Sequence, residues 1–485
     1  MPQTYGNFIA GEWVNSSSGK IFDSINPANI DEVVARYQSS EAVDVRNAFD
    51  VAQKAQAAWA ATPAPNRGIV LMRAAEILEK RAESVAADMT REEGKTLPEA
   101  KGEVGRAVNI FRYFGGEGAR FSGETVPSER DGVFAYTFRK PLGVVSLLTP
   151  WNFPVAIPAW KIAPALISGN SVVIKPASLA PLCTLRIIEA LHDAGLPKGV
   201  INMVTGSGSA IGDELIANPA AKAVSFTGSC EVGNSIQKKT VQRGIKTQLE
   251  MGGKNPTIVL GDANLNMATE IVVNGAFFST GQKCTATSRA IVEEAIFDDF
   301  VKLLVEKTRK LRVGNGMEKG VDIGPCVDES QMKTVLRYIE VGKKEGATLL
   351  CGGNRLTGPG HDKGYFVEPT IFTGVTPEMT IAQEEIFGPV LAVMPVKDLE
   401  AAIQLANNVK FGLSASLLTN QLNKVFSYIN RIEAGLIIVN LPSAGVEYQL
   451  PFGGTKASST GYREQGSVAI DFYSELRTVY LKHQI

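Results

Sequence analysis

The sequence predicts an α/β fold in which two blocks are each built on a parallel sheet. From Gly143 onward, short apolar runs rich in β-branched residues alternate with helical segments, and this alternation is typical of βαβ units. A second run of the same kind begins at Pro256. Two strand-like segments, 132–138 and 472–481, stand apart from both blocks, so we expect them to pair with each other or with the sheet edge of another subunit.

The segment before the first block is predicted to be mainly helical. Apolar residues recur at intervals of three and four over 42–59, 67–93 and 103–113, which is the spacing of one helix face. The first block is predicted to have strands at 144–148, 171–174, 200–204, 223–226 and 246–249, and helices at 159–166, 182–194, 210–216 and 231–241. The second block is predicted to contain a strand at 256–260, helices at 267–278 and 297–310, and a strand at 436–439.

Composition excludes several classes of function. A chain of 485 residues is long enough for two or three domains. Its 49 basic and 50 acidic residues give a net charge of −1, so we expect no nucleic-acid partner and no membrane binding. No apolar stretch reaches the length of a membrane span, and residues 1–15 lack the pattern of a signal peptide. We therefore expect a cytoplasmic protein.

The cysteines do not form a disulfide or zinc pattern. They are odd in number and contain no C-x-x-C pair. We interpret Cys183, Cys326 and Cys351 as buried small apolar residues, and Cys230 as structural.

Cys284 differs because it follows a polar stretch, 279–283, that ends an apolar helix. A thiol nucleophile needs a base or a lowered pKa to form a thiolate. The chain contains only His192, His361 and His483, so a catalytic Cys284 is expected to work with a carboxylate base.

Polar residues follow several predicted strands, where parallel sheets bind ligands. Asn152 can donate an amide N–H to an oxyanion, although an asparagine before a helix also serves as a plain cap. Lys175 can reach a ribose or a phosphate, although a solvated lysine is the default. Gly228 and Ser229 open a helix whose free N–H groups suit a phosphate, but the segment lacks the G-x-G-x-x-G fingerprint.

Two carboxylates occupy similar positions. Glu250 ends the last strand of the first block and precedes two glycines. Burial there would raise the pKa of its carboxyl toward that of a general base, and a solvated loop glutamate is the alternative. Glu385 lies beside the rigid turn Gly388-Pro389 and is a candidate for binding ribose hydroxyls.

The order of these segments resembles the NAD(P)-dependent aldehyde dehydrogenase superfamily over essentially the whole chain. The matching segments are Pro150-Trp151-Asn152-Phe153-Pro154, Lys175-Pro176, Phe226-Thr227-Gly228-Ser229, Leu249-Glu250-Met251-Gly252-Gly253-Lys254, Gly281-Gln282-Lys283-Cys284, Glu384-Glu385-Ile386-Phe387-Gly388-Pro389 and Pro451-Phe452-Gly453-Gly454. Their common order argues against a chance resemblance.

The resemblance implies two doubly wound, Rossmann-like α/β domains and a small β oligomerisation element. The implied limits are 1–122 with 142–252 for the cofactor-binding domain, 253–457 for the catalytic domain, and 123–141 with 458–485 for the bridging element. A homodimer or a homotetramer is expected.

The resemblance also assigns the chemistry. Cys284 would attack the aldehyde to give a thiohemiacetal, whose oxyanion is stabilised by Asn152 and by the Cys284 backbone N–H. After hydride transfer to the nicotinamide, Glu250 would activate the water that hydrolyses the thioester. The residues that this resemblance places on the cofactor are Trp151, Lys175, Ser178, Gly228, Ser229, Glu385 and Phe387.

Ser178 indicates the choice of cofactor. NAD-preferring relatives carry a glutamate three residues after the lysine, and here that position is Ser178. Serine removes a charge that would repel a 2′-phosphate, and Lys175 can pair with that phosphate. We therefore predict NADP or NAD as cofactor, with NADP favoured.

The substrate prediction depends on less specific segments. Residues 151–161, 93–101 and 443–447 resemble bacterial 2,5-dioxovalerate (α-ketoglutaric semialdehyde) dehydrogenases, which implies oxidation of that semialdehyde to 2-oxoglutarate. Enzymes for acidic semialdehydes often carry an arginine six residues before the nucleophile, but Phe278 stands here.

An apolar substrate channel is the consequence of that departure. Its predicted walls are Phe153, Trp160, Phe278 and Phe452, with Tyr448 nearby, while the alternative is that these aromatic residues belong to the core. Arg289 and Arg463 are the candidate carboxylate anchors.

Other classes of function stay open. A broad-specificity or aromatic aldehyde dehydrogenase is the main alternative for the substrate. A CoA-acylating dehydrogenase is disfavoured because it needs no water-activating Glu250. A non-catalytic binding protein is disfavoured because Cys284, Glu250 and Asn152 are all present.

Overall fold

The computed structural model describes residues 2–482, so His483 lies outside the described residues. The first large sheet has its strands in the spatial order Ser459–Gly461, Lys246–Glu250, Ala221–Thr227, Val144–Leu148, Ser171–Lys175, Ile201–Met203, Asn7–Ile9 and Glu12–Val14. From Lys246–Glu250 to Ile201–Met203 the strands are parallel, and antiparallel strands extend both edges. This arrangement confirms the predicted parallel sheet.

Both faces of this sheet are covered. Consecutive residues of a strand point to opposite faces, and in Ser171–Lys175 every residue is buried. Val172 and Ile174 belong to one hydrophobic core, whereas Val173 belongs to another. The helices of this part of the chain are Ala42–Ala61, Ala64–Lys80, Ala82–Glu93, Leu97–Glu117, Ala156–Ile167, Pro181–Asp193, Gly208–Ala217 and Cys230–Arg243, with a 3₁₀ turn at Gly118–Arg120.

The second sheet is built in the same way. Its strands lie in the order Thr348–Cys351, Thr370–Thr373, Val390–Val396, Thr287–Glu293, Asn255–Val259, Ser414–Leu418 and Leu436–Val439, and Thr348–Cys351 alone among these is antiparallel to its neighbour. The helices of this part are Leu265–Phe277, Phe297–Arg309, Glu329–Lys344, Thr380–Gln383, Leu399–Asn407 and Leu422–Ile429, with 3₁₀ turns at Phe278–Gly281 and Glu294–Ile296. Ile258 and Val259 again point into different cores.

Smaller sheets complete the fold. Val133–Pro141 pairs with Ser474–Lys482 along its whole length and with Thr125–Pro127, which confirms that the two isolated strands pair with each other. Thr4–Tyr5 and Ile21–Ile25 flank Val33–Gln38, and Phe411–Gly412 pairs with Thr455–Lys456. Within residues 2–482, no helix is both long and apolar enough to cross a membrane.

Several predicted elements need correction. The segment before residue 42 forms strands, which periodicity missed because each is short and relies on a distant partner. The predicted helix 67–93 is two helices that meet at Arg81. Phe472 lies in the short helix Ala469–Tyr473, so the final strand begins at Ser474.

The domain limits stay a prediction. Ser459–Gly461, which falls in the predicted bridging segment 458–485, pairs with Lys246–Glu250 of the first sheet.

Candidate active site

The carboxyl ends of the first sheet border a cleft of about 240 Å³ that contains Cys284. Register places Leu148 beside Lys175 and Thr227 beside Glu250, so the loops after these strands meet at one edge. The residues that line the cleft are Pro150, Trp151, Asn152, Ile157, Thr227, Gly228, Ser229, Met251, Gly252, Cys284, Gln331, Glu385 and Phe387. The structure therefore brings most of the predicted catalytic and cofactor residues together.

A left-handed turn presents Cys284 to this cleft. After the helix Leu265–Phe277, Ser279, Thr280 and Gly281 have φ angles of 54°, 57° and 64°. Residues with a side chain rarely adopt this conformation. At Gly281 a Cβ would overlap the carbonyl oxygen of Gly388, so only glycine fits there.

Glu99, on the helix Leu97–Glu117, binds this turn. Its Oε1 accepts hydrogen bonds from the Ser279 backbone N at 2.6 Å and from Ser279 Oγ at 3.2 Å. Its Oε2 accepts from the Thr96 N and Oγ1, which caps the helix Leu97–Glu117. The sequence shows Thr96 and Glu99 at capping-box spacing, but nothing in it predicts the contact with Ser279.

The surroundings of Cys284 disfavour its thiolate. Burial raises the pKa of the thiol, and the charges of Glu385 and Glu250 raise it further. Hydrogen bonds from the backbone N–H groups of Thr285 and of Cys284 itself act in the opposite direction.

Asn152 is buried and directed at the nucleophile loop. Its Nδ2 donates to the Gln282 carbonyl at 3.1 Å, and an amide has a second N–H that remains for a substrate oxygen. The Asn152 carbonyl accepts from Lys95 Nζ at 2.7 Å, and Lys95 forms a buried ion pair with Glu103 at 2.5 Å. Sequence reasoning missed Lys95 and Glu103, because Lys95 binds Asn152, which lies 57 residues further along the chain.

Glu250 is buried beneath the cleft. Its carboxylate accepts from Ser459 Oγ at 2.5 Å and from Gln248 Nε2 at 3.3 Å. Burial raises the pKa of this carboxyl well above its ordinary value, and the charge of Glu464 adds to the shift. A raised pKa moves this carboxyl toward the range in which it can act as a general base.

A buried ion pair lies behind Glu250. Lys161 pairs with Glu464, and its Nζ also donates to Ser225 Oγ at 2.6 Å and to Gln248 Oε1 at 3.3 Å. The positive charge of Lys161 lowers the pKa of Glu250, whereas the negative charge of Glu464 raises it. Sequence reasoning did not identify this pair, whose members are 303 residues apart.

Lys175 ends the strand Ser171–Lys175, and Ser178 follows three residues later. Lys175 is buried, its Nζ donates to the Pro176 carbonyl at 2.9 Å, and burial lowers its pKa to about 8. Within residues 2–482 no carboxylate lies within 4.0 Å of this Nζ. Ser178 Oγ donates to the Gly206 carbonyl at 2.8 Å.

Residues 13–479 match the model of the aldehyde dehydrogenase family. The chain belongs to that family. It is 50% identical over 479 residues, 99% of this chain and 98% of the relative, to a protein from Bacillus subtilis (strain 168) named alpha-ketoglutaric semialdehyde dehydrogenase. It is 46% identical over 475 residues, 97% of this chain and 98% of the relative, to the 2,5-dioxopentanoate dehydrogenase of Saccharolobus solfataricus. Among solved structures it is similar to betaine aldehyde dehydrogenase from Staphylococcus aureus in complex with NAD+, with a TM-score of 0.96, 34% identity, and 99% and 94% of the two chains covered.

The residues of this aldehyde dehydrogenase fit a nicotinamide dinucleotide. Ser229 caps the helix Cys230–Arg243 by accepting from the Val232 N, and the first turn of that helix offers N–H groups to a phosphate. Lys175, at the carboxyl end of another strand of the same sheet, offers a cation. Glu385 accepts from the Gly253 N at 2.8 Å, and a Cβ on Gly252 would overlap its Oε2.

An aromatic pair forms another wall of the cleft. The rings of Trp151 and Phe387 lie 5.4 Å apart at 86°. Phe387 has a φ of 58°, and Gln331 Nε2 donates to its carbonyl at 2.8 Å. Gln331 was missed by sequence reasoning, which had no signal for it.

The predicted substrate residues of the dehydrogenase lie apart from the walls of this cleft. Trp160 and Phe452 are buried with ring centroids 5.5 Å apart, and Trp160 Nε1 donates to Glu464 at 2.9 Å. Phe153 packs under Lys95, whose Nζ lies 4.3 Å from the ring. Phe278 is half-buried directly after the helix Leu265–Phe277. Their contact with a substrate stays a prediction.

The two candidate carboxylate anchors differ in how far they are engaged within the protein. Arg289 is buried and donates to the carbonyls of Lys254 and Ala406 at 2.9 and 2.8 Å. Arg463 donates to the Gly454 carbonyl.

The remaining cysteines are free. Cys183 and Cys326 are buried as predicted, but Cys351 is only half-buried because it lies on an edge strand.

Proposed function

We propose that this aldehyde dehydrogenase oxidises 2,5-dioxovalerate to 2-oxoglutarate with NADP or NAD. The observation that carries the proposal is a cleft lined by both Cys284 and the buried Asn152, with the buried Glu250 directly before the lining residue Met251. The substrate is supported by two relatives, 50% and 46% identical over nearly the whole chain, whose names specify this semialdehyde.

Cys284 is the proposed nucleophile. Its thiol first loses its proton to solvent. The thiolate sulfur then forms a bond to the aldehyde carbon, the carbonyl electron pair moves to oxygen, and the Asn152 amide with the Cys284 N–H stabilises that oxyanion. When bound, NADP or NAD supplies the acceptor for hydride. Glu250 then takes a proton from water as its oxygen attacks the thioester carbon, and the carbon–sulfur bond breaks to release the carboxylate and Cys284.

NADP is the proposed preferred cofactor. Ser178 brings no negative charge to the ribose end, and Lys175 is an unpaired cation three residues before it. A 2′-phosphate would supply the missing partner. The assignments of Trp151, Gly228, Ser229, Glu385 and Phe387 to the cofactor belong to the same proposal.

A homo-oligomer is proposed from the small antiparallel sheet. Val133–Pro141 and Ser474–Lys482 expose large apolar side chains to solvent, among them Phe134, Leu476 and Tyr480. A patch of this kind on a sheet edge is typical of an interface between copies.

A steady-state panel tests the proposed function. 2,5-Dioxovalerate, succinic semialdehyde, pentanal and benzaldehyde are each assayed with NAD and with NADP, and Cys284→Ala serves as the blank. We expect the highest kcat/KM with 2,5-dioxovalerate and no reduction of the cofactor by Cys284→Ala. Equal efficiency with benzaldehyde would support a broad-specificity enzyme, the candidate that Phe278 favours. Formation of an acyl-CoA on adding CoA would support an acylating enzyme instead.

A further inference from the structure

An acidic aldehyde requires a cation at the end of its binding site remote from Cys284. Phe278 supplies none, and Arg289 and Arg463 are engaged by backbone carbonyls. We infer that Arg106 binds the distal carboxylate of the substrate and thereby selects acidic aldehydes. This inference rests on the proposed function and adds a specificity-determining residue to it.

The position of Arg106 follows from its neighbours on the helix Leu97–Glu117. Glu103, Arg106 and Tyr113 are spaced by three and seven residues, so they share one helix face. Glu103 Oε1 accepts from the backbone N of Val155 at 2.8 Å and of Ala156 at 2.9 Å, directly after the Asn152 turn. At the other end, the ring of Tyr113 lies 5.9 Å from that of Tyr448.

Arg106 therefore lies between the Asn152 turn and the loop that carries Tyr448. Its distance along the helix axis from Glu103 is about 4.5 Å and from Tyr113 about 10.5 Å, at a rise of 1.5 Å per residue. Glu447 is the residue before Tyr448 in that loop, and its charge acts on the Arg106 guanidinium. Arg106 thus lies one helical turn from Glu103, which binds the backbone that follows Asn152.

The Arg106 guanidinium is half-buried and lacks a partner. Within residues 2–482 it forms no ion pair at 4.0 Å or less and no hydrogen bond. Burial lowers the pKa of this guanidinium, whereas the negative charges of Glu103 and Glu447 raise it. Glu103 is already neutralised by Lys95, and Glu447 is exposed and accepts from Gln449.

A substrate carboxylate suits this arrangement. A planar guanidinium donates two parallel hydrogen bonds to a carboxylate, and a cation that is already partly dehydrated loses little solvation when it does so. The apolar residues around the aldehyde then need not contact the charged end.

Charge removal at Arg106 tests the inference. Arg106→Met keeps an apolar stem and removes the charge. Arg106→Lys keeps the charge but not the planar group that donates two parallel hydrogen bonds. Arg112→Met is the matched control, because Arg112 is on the same helix but exposed and paired with Glu79 at 2.6 Å. Each variant is assayed with 2,5-dioxovalerate and with pentanal, which has the same number of carbons and no carboxylate.

We expect Arg106→Met to lower kcat/KM for 2,5-dioxovalerate by about 10- to 100-fold, which is the loss of charge-assisted hydrogen bonds. Pentanal oxidation and the Arg112→Met control should change by less than about threefold, within ordinary surface effects. Arg106→Lys should recover part of the loss. Glutarate should inhibit pentanal oxidation competitively in the wild type and much less in Arg106→Met.

The outcomes separate this inference from the proposed function. If Arg106→Met keeps both the preference for the semialdehyde and the inhibition by glutarate, the role of Arg106 is overturned and the proposed function stands. A parallel loss with pentanal would also overturn it, because the residue would then be structural. If the wild type has no preference for the semialdehyde, the proposed function fails, and inhibition by glutarate alone decides whether Arg106 binds a carboxylate.

Discussion

Ser178→Glu is expected to shift this dehydrogenase from NADP toward NAD. Lys175, three residues earlier, is a buried cation whose ε-amino group reaches only a backbone carbonyl. Its pKa of about 8 keeps it protonated at pH 7 and available to a 2′-phosphate. A carboxylate at position 178 would pair with this lysine and repel the phosphate.

The size of the effect follows from the interaction that is lost. A hydrogen bond between charged groups contributes about 1.5–3 kcal/mol, which corresponds to a change of about 10- to 150-fold in an equilibrium constant. We therefore expect the ratio of kcat/KM for NADP to kcat/KM for NAD to fall by at least about tenfold, the lower end of that range. Most of the change should appear in the NADP value, because NAD has no phosphate to lose.

The assay measures initial rates with both cofactors and one aldehyde at pH 7. Ser178→Ala is the control, because it removes the 2.8 Å hydrogen bond to Gly206 without adding a charge, and its ratio should stay near that of the wild type. A Ser178→Glu enzyme with an unchanged ratio would refute the reasoning.

The preference for NADP over NAD should also depend on pH. Lys175 loses its proton as the pH rises through about 8, so the advantage of NADP should be present below that pH and decline above it. Bound phosphate favours the charged lysine, so the decline should lie at higher pH once NADP is saturating.

Other predictions concern the base and the nucleophile turn. Glu250→Gln should retain the first turnover of cofactor reduction in stopped-flow absorbance but lower steady-state turnover by about 10²- to 10⁴-fold, because a general base is lost. Turnover limited by Glu250 should rise with pH as the raised pKa of its carboxyl is passed. Lys161→Met should move that rise to higher pH, and Glu464→Gln should move it to lower pH. If the pH–rate profiles of both variants move in the same direction, this account is contradicted. Glu99→Gln should weaken the charged hydrogen bond to the Ser279 N and lower kcat by about tenfold with cofactor affinity unchanged, as compared by initial rates and by cofactor titration.

Much of the fold could be predicted because it depends on local patterns. The strand Val144–Leu148 was predicted at its observed limits, since a buried parallel strand is a continuous apolar run. The edge strand Leu436–Val439 is partly exposed, but it is also a continuous apolar run and was likewise predicted at its limits. The resemblance in the order of the motifs also predicted that Asn152 and Cys284 would act together, and both residues line one cleft.

Tertiary contacts determined the rest. Periodicity reports that a face is buried but not which distant segment covers it, so the short strand Asn7–Ile9 escaped prediction. For the same reason the ion pair of Lys161 with Glu464 was not predicted, since only folding brings the two residues together. Arg289 was likewise predicted as a carboxylate anchor, because the sequence does not show that it donates to backbone carbonyls. The sequence by itself determined the family, since the family's motifs reside in short contiguous segments. Only the tertiary structure decided which charges act on Glu250 and which arginines donate to backbone carbonyls, because the partners of a side chain are set by distance in space.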